Sequence, residues 1–199
     1  MKEKQNRPYH HGDLRNAILD TAMEMMLEED GWNFTLREVA RRAGVSHSAP
    51  YKHFPDKTSL LGELALIGFD QAYERVHSAM QEGSATFRER FLRVAKVYLQ
   101  FAQDHPALYR LMLGSGVVTE QTQGDPRAAA TFELAVDMIE QGQREGVVRP
   151  HPVRGQAAAC WAQLHGLTML DLEGFLIPEK VGEKPVEAAL NTLLEGLEE

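Results

Sequence analysis

The stretch AGVSHSAPYKHF, residues 43–54, carries a glycine, a proline, two serines, two histidines and a lysine, with Tyr51 and Phe54 as its bulky apolar groups. So polar a piece is unusual directly behind a well-patterned helix. The helix before it is easy to see. Thr35 with Glu38 three positions on is a capping box, and Leu36, Val39, Ala40 and Ala43 recur on one face. Gly44 supplies the positive φ that ends this helix. Val45 plugs the turn, Ser46 is placed to cap a second short helix over 47–53, and Pro55 prevents that helix from continuing.

Two short helices joined by Gly44, Val45 and Ser46 have the spacing of a helix-turn-helix. Apart from Tyr51 and Phe54, the second helix keeps short or polar side chains, which suits a surface entering a DNA major groove about 12 Å wide. The free N–H groups at its start favour an anionic phosphate. A surface hairpin with a solvated face fits the same spacing. Pro50 is the awkward residue, because it removes a backbone bond unless the helix begins near His47.

Outward from this segment the pattern stays helical. Leu14, Ile18, Thr21, Ala22 and Met25 recur at three- and four-residue steps behind Asp13, which reads as an N-cap. Asp56 caps a long helix from about Lys57 to Gln81. Further helices are expected over 86–104, 106–113, 126–145, 153–175 and 186–197, with loops at 114–124 and 146–152. The expectation is an all-α protein of about nine helices without strands or repeats. It divides into a three-helix head over 1–58 and a larger body over 59–199.

Net charge is −8 over 199 residues, which taken alone argues against a nucleic-acid partner. The distribution says more. Residues 1–60 balance nine Lys/Arg against nine Asp/Glu, so 61–199 carry the whole deficit. Within 36–57, Arg37, Arg41, Arg42, Lys52 and Lys57 stand against Glu38 and Asp56, and His47 and His53 add to the positive side when protonated. A small basic head on an acidic body can still bind phosphate, because screening confines repulsion to about 8–10 Å.

The N-terminal MKEKQNRPYHHG is polar, with no apolar run of a signal peptide behind it. LLGELALIGF is too short to cross a membrane and holds Glu63. The single cysteine, Cys160, forms no internal disulfide, which suits a reducing cytoplasm. Gly-rich phosphate loops, HExxH, CxxC and G-x-S-x-G elbows are lacking, and the histidines have no metal-ligand spacing. An enzyme, a metal site and a cofactor are therefore not expected.

TLREVARRAGVSHSAPYKHFPDKTSLL, residues 35–61, resembles the DNA-binding domain of the tetracycline-repressor family of bacterial transcriptional regulators. The matching features are the Thr cap, Val39-Ala40, Ala43 to Ser46, Tyr51, Phe54, the Pro55 break and Lys57 opening the next helix. The resemblance implies that 47–53 is the recognition helix. His47, Ser48 and Lys52 would then face base edges or nearby phosphates, with Ser46 and Arg37 in the same DNA-facing set. Tyr51 and His53 would contact the backbone, Thr35 would cap its helix at a phosphate, and Lys57 would bind another. Lys4 and Arg7 would form an arm or a plain tail. Pro50 departs from the family pattern before the tyrosine.

The resemblance further implies a homodimer on a near-palindromic operator and a body that binds a small hydrophobic or aromatic effector. In such a dimer the last two helices pair with their copies, which makes Ala157, Leu164, Leu167, Leu190, Leu193, Leu194 and Leu197 the interface candidates, with core inside one chain the alternative for each. WAQLHGL, residues 161–167, is similar to a motif of a branch named for Trp, His and Gly. Trp161 and His165 share a helix face there and are candidates to line the effector cavity, and Gly166 permits close helix approach. Tyr73, His77, Tyr98, Phe101, Tyr109, Met112, Phe132 and Met138 are the other candidates, and packed core accounts equally for all of them. A regulator is the expected function. A chromosome-organising DNA binder of the same fold is the alternative.

Overall fold

Short-range side-chain caps open several of the helices. In a computed structural model describing residues 11–28, 31–83, 86–114 and 116–198, Thr35 and Glu38 make the expected reciprocal box at α2, Leu36–Arg42. Asp56 accepts from the Ser59 N–H at 2.7 Å and opens α3, Lys57–Gln81. A second capping box, Thr86 with Glu89, opens α4, Phe87–Asp104. Each cap satisfies N–H groups that the first helical turn leaves unpaired.

The remaining elements are α1, His11–Glu28; a 3₁₀ turn, Pro50–Lys52; α5, Pro106–Tyr109, which runs on as a wider π turn to Gly114; α6, Thr119–Thr122; α7, Pro126–Arg144; α8, Val153–Leu172; α9, Pro178–Val181; and α10, Pro185–Leu197. The all-α expectation holds. Locally there are differences. Asp13 lies inside α1 and is not its cap. The loop expected over 114–124 contains α6, drawn in by burial of Val118 and Thr122. The arm residues Lys4 and Arg7 lie outside the described residues.

Helix α3 is the spine. It packs on α4 and α7 along most of its length and on α1 near its start. Gly68 allows a close approach: a Cβ there would sit 2.6 Å from Met112 Sδ and 2.9 Å from Leu108 Cδ1. Helix α5 is thereby pressed onto α3, and it also touches α1. The head and the body thus share one continuous core, which runs from Leu14 and Ile18 to Leu190 and Leu194. The chain's end is pinned as well. Arg88 donates to Glu198 at 2.9 Å and to Asn191 at 2.9 Å, and the Arg149 N–H donates to the Leu197 carbonyl at 2.9 Å. No described helix is long and apolar enough to cross a membrane.

Candidate nucleic-acid interface and interior cleft

After Gly44 (φ 71°) the segment alternates short exposed runs with buried anchors. Ala49, Pro50 and Phe54 are buried, while Ser46, His47, Ser48, Tyr51 and Lys52 are exposed and His53 is half-buried. The sequence expectation of a helix over 47–53 needs correction. The backbone forms tight turns instead: the Ala49 N–H donates to the Ser46 carbonyl at 2.9 Å, Lys52 to Ala49 at 3.2 Å and His53 to Pro50 at 3.0 Å. Pro50 is the cause. It has no N–H to donate and stands at the first position of the 3₁₀ turn, where none is needed, with its ring in the core. Ser46 caps no helix; its hydroxyl lies 3.3 Å from that of Ser48.

Charge around this surface is positive after pairing is considered. Arg42 is held by Glu28 at 2.6 Å, tying α2 to α1. Arg37, Arg41 and Lys52 are exposed. Lys57 is half-buried at the start of α3, with its ammonium 5.5 Å from the Phe34 ring centroid. Thr35 does not match its expected role at a phosphate. Its N–H and its hydroxyl both donate to Glu38 Oε2, at 2.7 and 2.9 Å, so no donor is left over. These bonds, the backbone one first, hold the Glu38 carboxyl below its ordinary range. Asp56 is lowered in the same way by the Ser59 N–H and then the Ser59 hydroxyl.

The body contains a cleft of about 580 Å³ between α3, α4, α5, α7 and α8, a size typical of small-molecule sites at roughly 300–1,000 Å³. Of the sequence candidates, Tyr98, Phe101, Tyr109, Met112, Phe132 and Trp161 line it. A narrow apolar extension shares Tyr98, Phe132 and Trp161 and reaches Met138 and Cys160; burial raises the Cys160 thiol to about 11. Tyr73 and His77 do not reach the cleft and are withdrawn from its lining. They stack on each other, ring centroids 5.5 Å apart, because α3 presents Phe69, Ala72 and Val76 to the cleft and these two lie one step round the helix. His165 stands behind the cleft, its Nδ1 2.8 Å from the Tyr109 hydroxyl. Sequence reasoning missed Arg154 and Glu133 at the cleft mouth, paired at 2.7 and 3.1 Å across α8 and α7; no short-range spacing signals that pair.

The interface candidates are largely interior. Ala157, Leu164, Leu190, Leu194 and Leu197 are buried within the single chain, and Leu167 and Leu193 are half-buried. Helix periodicity groups residues on one face, but it does not say which of two apolar faces turns inward. The outward face of α8 shows Gly155, Ala158, Ala159 and Ala162. A Cβ on Gly166 or Gly196 would meet nothing within 4 Å, so neither glycine serves an approach inside the chain. Among the described residues no cluster of three or more His, Cys, Asp or Glu is placed to hold a metal ion.

Residues 18–64 match the family model of bacterial regulatory proteins, tetR family, and residues 91–197 match the tetracyclin repressor-like C-terminal domain. The chain is 31% identical over 150 residues to the nucleoid occlusion factor SlmA of Yersinia enterocolitica, a match covering 75% of this chain and 74% of that one. A protein of unknown function from Rhodococcus sp. RHA1 superposes with a TM-score of 0.79 at 33% identity, covering 98% of this chain and all of that one. A TetR family transcription regulator from Marinobacter aquaeolei shares the fold, with a TM-score of 0.68 at 18% identity, over 94% of this chain and 97% of that one.

Proposed function

This chain belongs to the tetracycline-repressor family and is a helix-turn-helix DNA-binding regulator; from that premise we propose that it is a homodimeric cytoplasmic repressor released from a near-palindromic operator by a small apolar effector. Residues 1–58 form the reading head and 59–199 the effector-binding and dimerisation body. The observation that carries this is the pairing, in one chain, of an outward polar surface with an inward cleft. The surface is Ser46, His47, Ser48, Tyr51 and Lys52, and the cleft reaches α5, which packs on α1 of the head. Two copies paired through the outward faces of α8 and α10 place two heads about one DNA turn apart, about 34–36 Å. An effector acts by binding one head spacing better than the other, since equal affinity for both shifts nothing.

Selection of bound sites from random duplex DNA at two salt concentrations tests the proposal. A near-palindrome bound with a steep salt slope is the expected outcome; enrichment of a single unrepeated half-site would rule out the paired heads. Lys57→Ala is expected to lower the salt slope of operator binding by about 1 and to leave base preference unchanged, as loss of one phosphate contact does. An unaltered slope in the titration would remove Lys57 from the interface.

The identity with a nucleoid occlusion factor supports a second reading, a DNA binder acting in chromosome organisation. Mapping bound sites across the genome separates the two. Sites concentrated near one or a few promoters support the repressor, and many dispersed sites support the organiser.

A further inference from the structure

Beside Thr122, Gln123 and the unpartnered Thr131 hydroxyl in the cleft wall, three polar groups from three helices form a chain that ends behind the wall at His165. The Tyr98 hydroxyl on α4 is 2.8 Å from the Tyr109 hydroxyl on α5, which is 2.8 Å from His165 Nδ1 on α8. Both tyrosines are buried, at 7% and 1% exposure, and both also line the cleft. Charged side chains stand only at the mouth, and there they are paired. Arg154 is bound to Glu133, and Asp125 is bound to Arg127 at 3.2 Å. The interior therefore offers hydrogen bonds and apolar surface but no free charge. A charged ligand group taken inside would lose its hydration with nothing to replace it. Burial raises both tyrosines and lowers His165, which keeps all three groups neutral near pH 7.

The proton count along this chain has two solutions. If His165 Nδ1 is bare, Tyr109 donates to it, Tyr98 donates to Tyr109, and the Tyr98 oxygen, which also meets the Trp161 N–H, keeps one lone pair for a ligand donor. If Nδ1 carries the imidazole proton, His165 donates to Tyr109, Tyr109 donates to Tyr98, and the Tyr98 O–H is left for a ligand acceptor. Both states are neutral and differ only in tautomer.

Resting on the effector reading above, we infer that the cleft takes an uncharged, mainly apolar ligand whose one carbonyl or hydroxyl meets the Tyr98 hydroxyl, with the Tyr98–Tyr109–His165 chain reversing its direction to suit either. A matched ten-carbon series tests this: 2-decanone, 1-decanol, decane, decanoate and decylamine. Binding to the full-length protein is followed by Trp161 emission in a Trp32→Phe background, with operator release measured in parallel. The ketone and the alcohol are expected to bind roughly 3- to 10-fold more tightly than decane, as one net hydrogen bond provides, and both ions more weakly than decane. Tyr98→Phe should erase the margin over decane while leaving decane affinity unchanged. In ¹⁵N-histidine spectra the ketone, which can only accept, should drive His165 to the Nδ1–H tautomer, whereas the alcohol, able to donate or accept, fits either.

Tightest binding by decanoate or decylamine would overturn the uncharged class and, if that ion also released DNA, leave the effector reading standing. A Tyr98→Phe protein that keeps the ketone margin, or a ketone complex in which His165 is the Nε2–H tautomer, would overturn the role of the chain. Failure of every probe to bind would overturn the inference, while the effector reading is decided separately by operator release.

Discussion

Phe54→Ala is expected to lower unfolding stability by about 3–5 kcal/mol, the usual cost of deleting a buried aromatic ring, and to abolish operator binding. Phe54 is 2% exposed and belongs to the same core as Leu14, Ile18, Val39 and Leu60, which come from α1, α2 and α3. The Arg15 guanidinium lies 5.5 Å from its ring centroid and is itself held by Glu63 at 2.6 Å, so the ring also organises a contact between α1 and α3. The segment ahead of it has only turn bonds and the small anchors Ala49 and Pro50. Without the ring, the DNA-facing side chains lose the support that fixes their direction. For a chain of this size a kilocalorie shifts the melting point by about 2–4 °C, so the expected fall is about 6–20 °C. Tyr51→Ala is the control. That ring is 50% exposed, and its loss should weaken DNA binding with little change in melting. A melting shift below about 2 °C for Phe54→Ala would show that something else holds the reading segment.

The contrast between Phe54 and its neighbours also shows how far the sequence reached. Caps were visible because a cap is a bond between residues two or three apart: Thr35 to Glu38 and Asp56 to Ser59 both stand as the spacing implied, although the same bonds take from Thr35 the donors a phosphate would need. The 3₁₀ turn was not visible, because whether Pro50 interrupts a helix or opens a turn depends on the core that receives its ring. On α8 and α10 the apolar stripes were right and their direction was not, since both sides of α8 are apolar or small. The same limit separated Tyr73 from Phe69 on α3. The Tyr98–Tyr109–His165 chain joins residues 11 and 56 positions apart. Spacing placed Trp161 beside His165, but only the folded packing of α4, α5 and α8 gave His165 its partner.

Ala159→Glu follows from the corrected direction of α8 and is expected to cost operator affinity about 100-fold or more while leaving each chain folded. Ala159 is exposed and lines a shallow groove between α8 and α10 with Gly155, Thr192 and Gly196. Exposed substitutions of this kind usually change stability by no more than about 0.5 kcal/mol. If two copies pair across this face, the twofold axis brings the same patch of both chains together, so one substitution introduces two carboxylates into a surface built of small side chains. Desolvation and mutual repulsion then oppose pairing. The loss on DNA is large because linked heads gain about 10²–10⁴ in avidity over separate ones. Leu194 is the instructive contrast: it is fully buried inside one chain, so its truncation is read as unfolding and says nothing about pairing. Light scattering gives the mass of the Ala159→Glu protein, and titration of a full operator against a half-site gives its affinity. A monomer that binds both DNAs equally establishes the α8 and α10 face as the pairing surface. A variant that stays dimeric with undiminished operator affinity moves that surface elsewhere, and with it the spacing of the two heads.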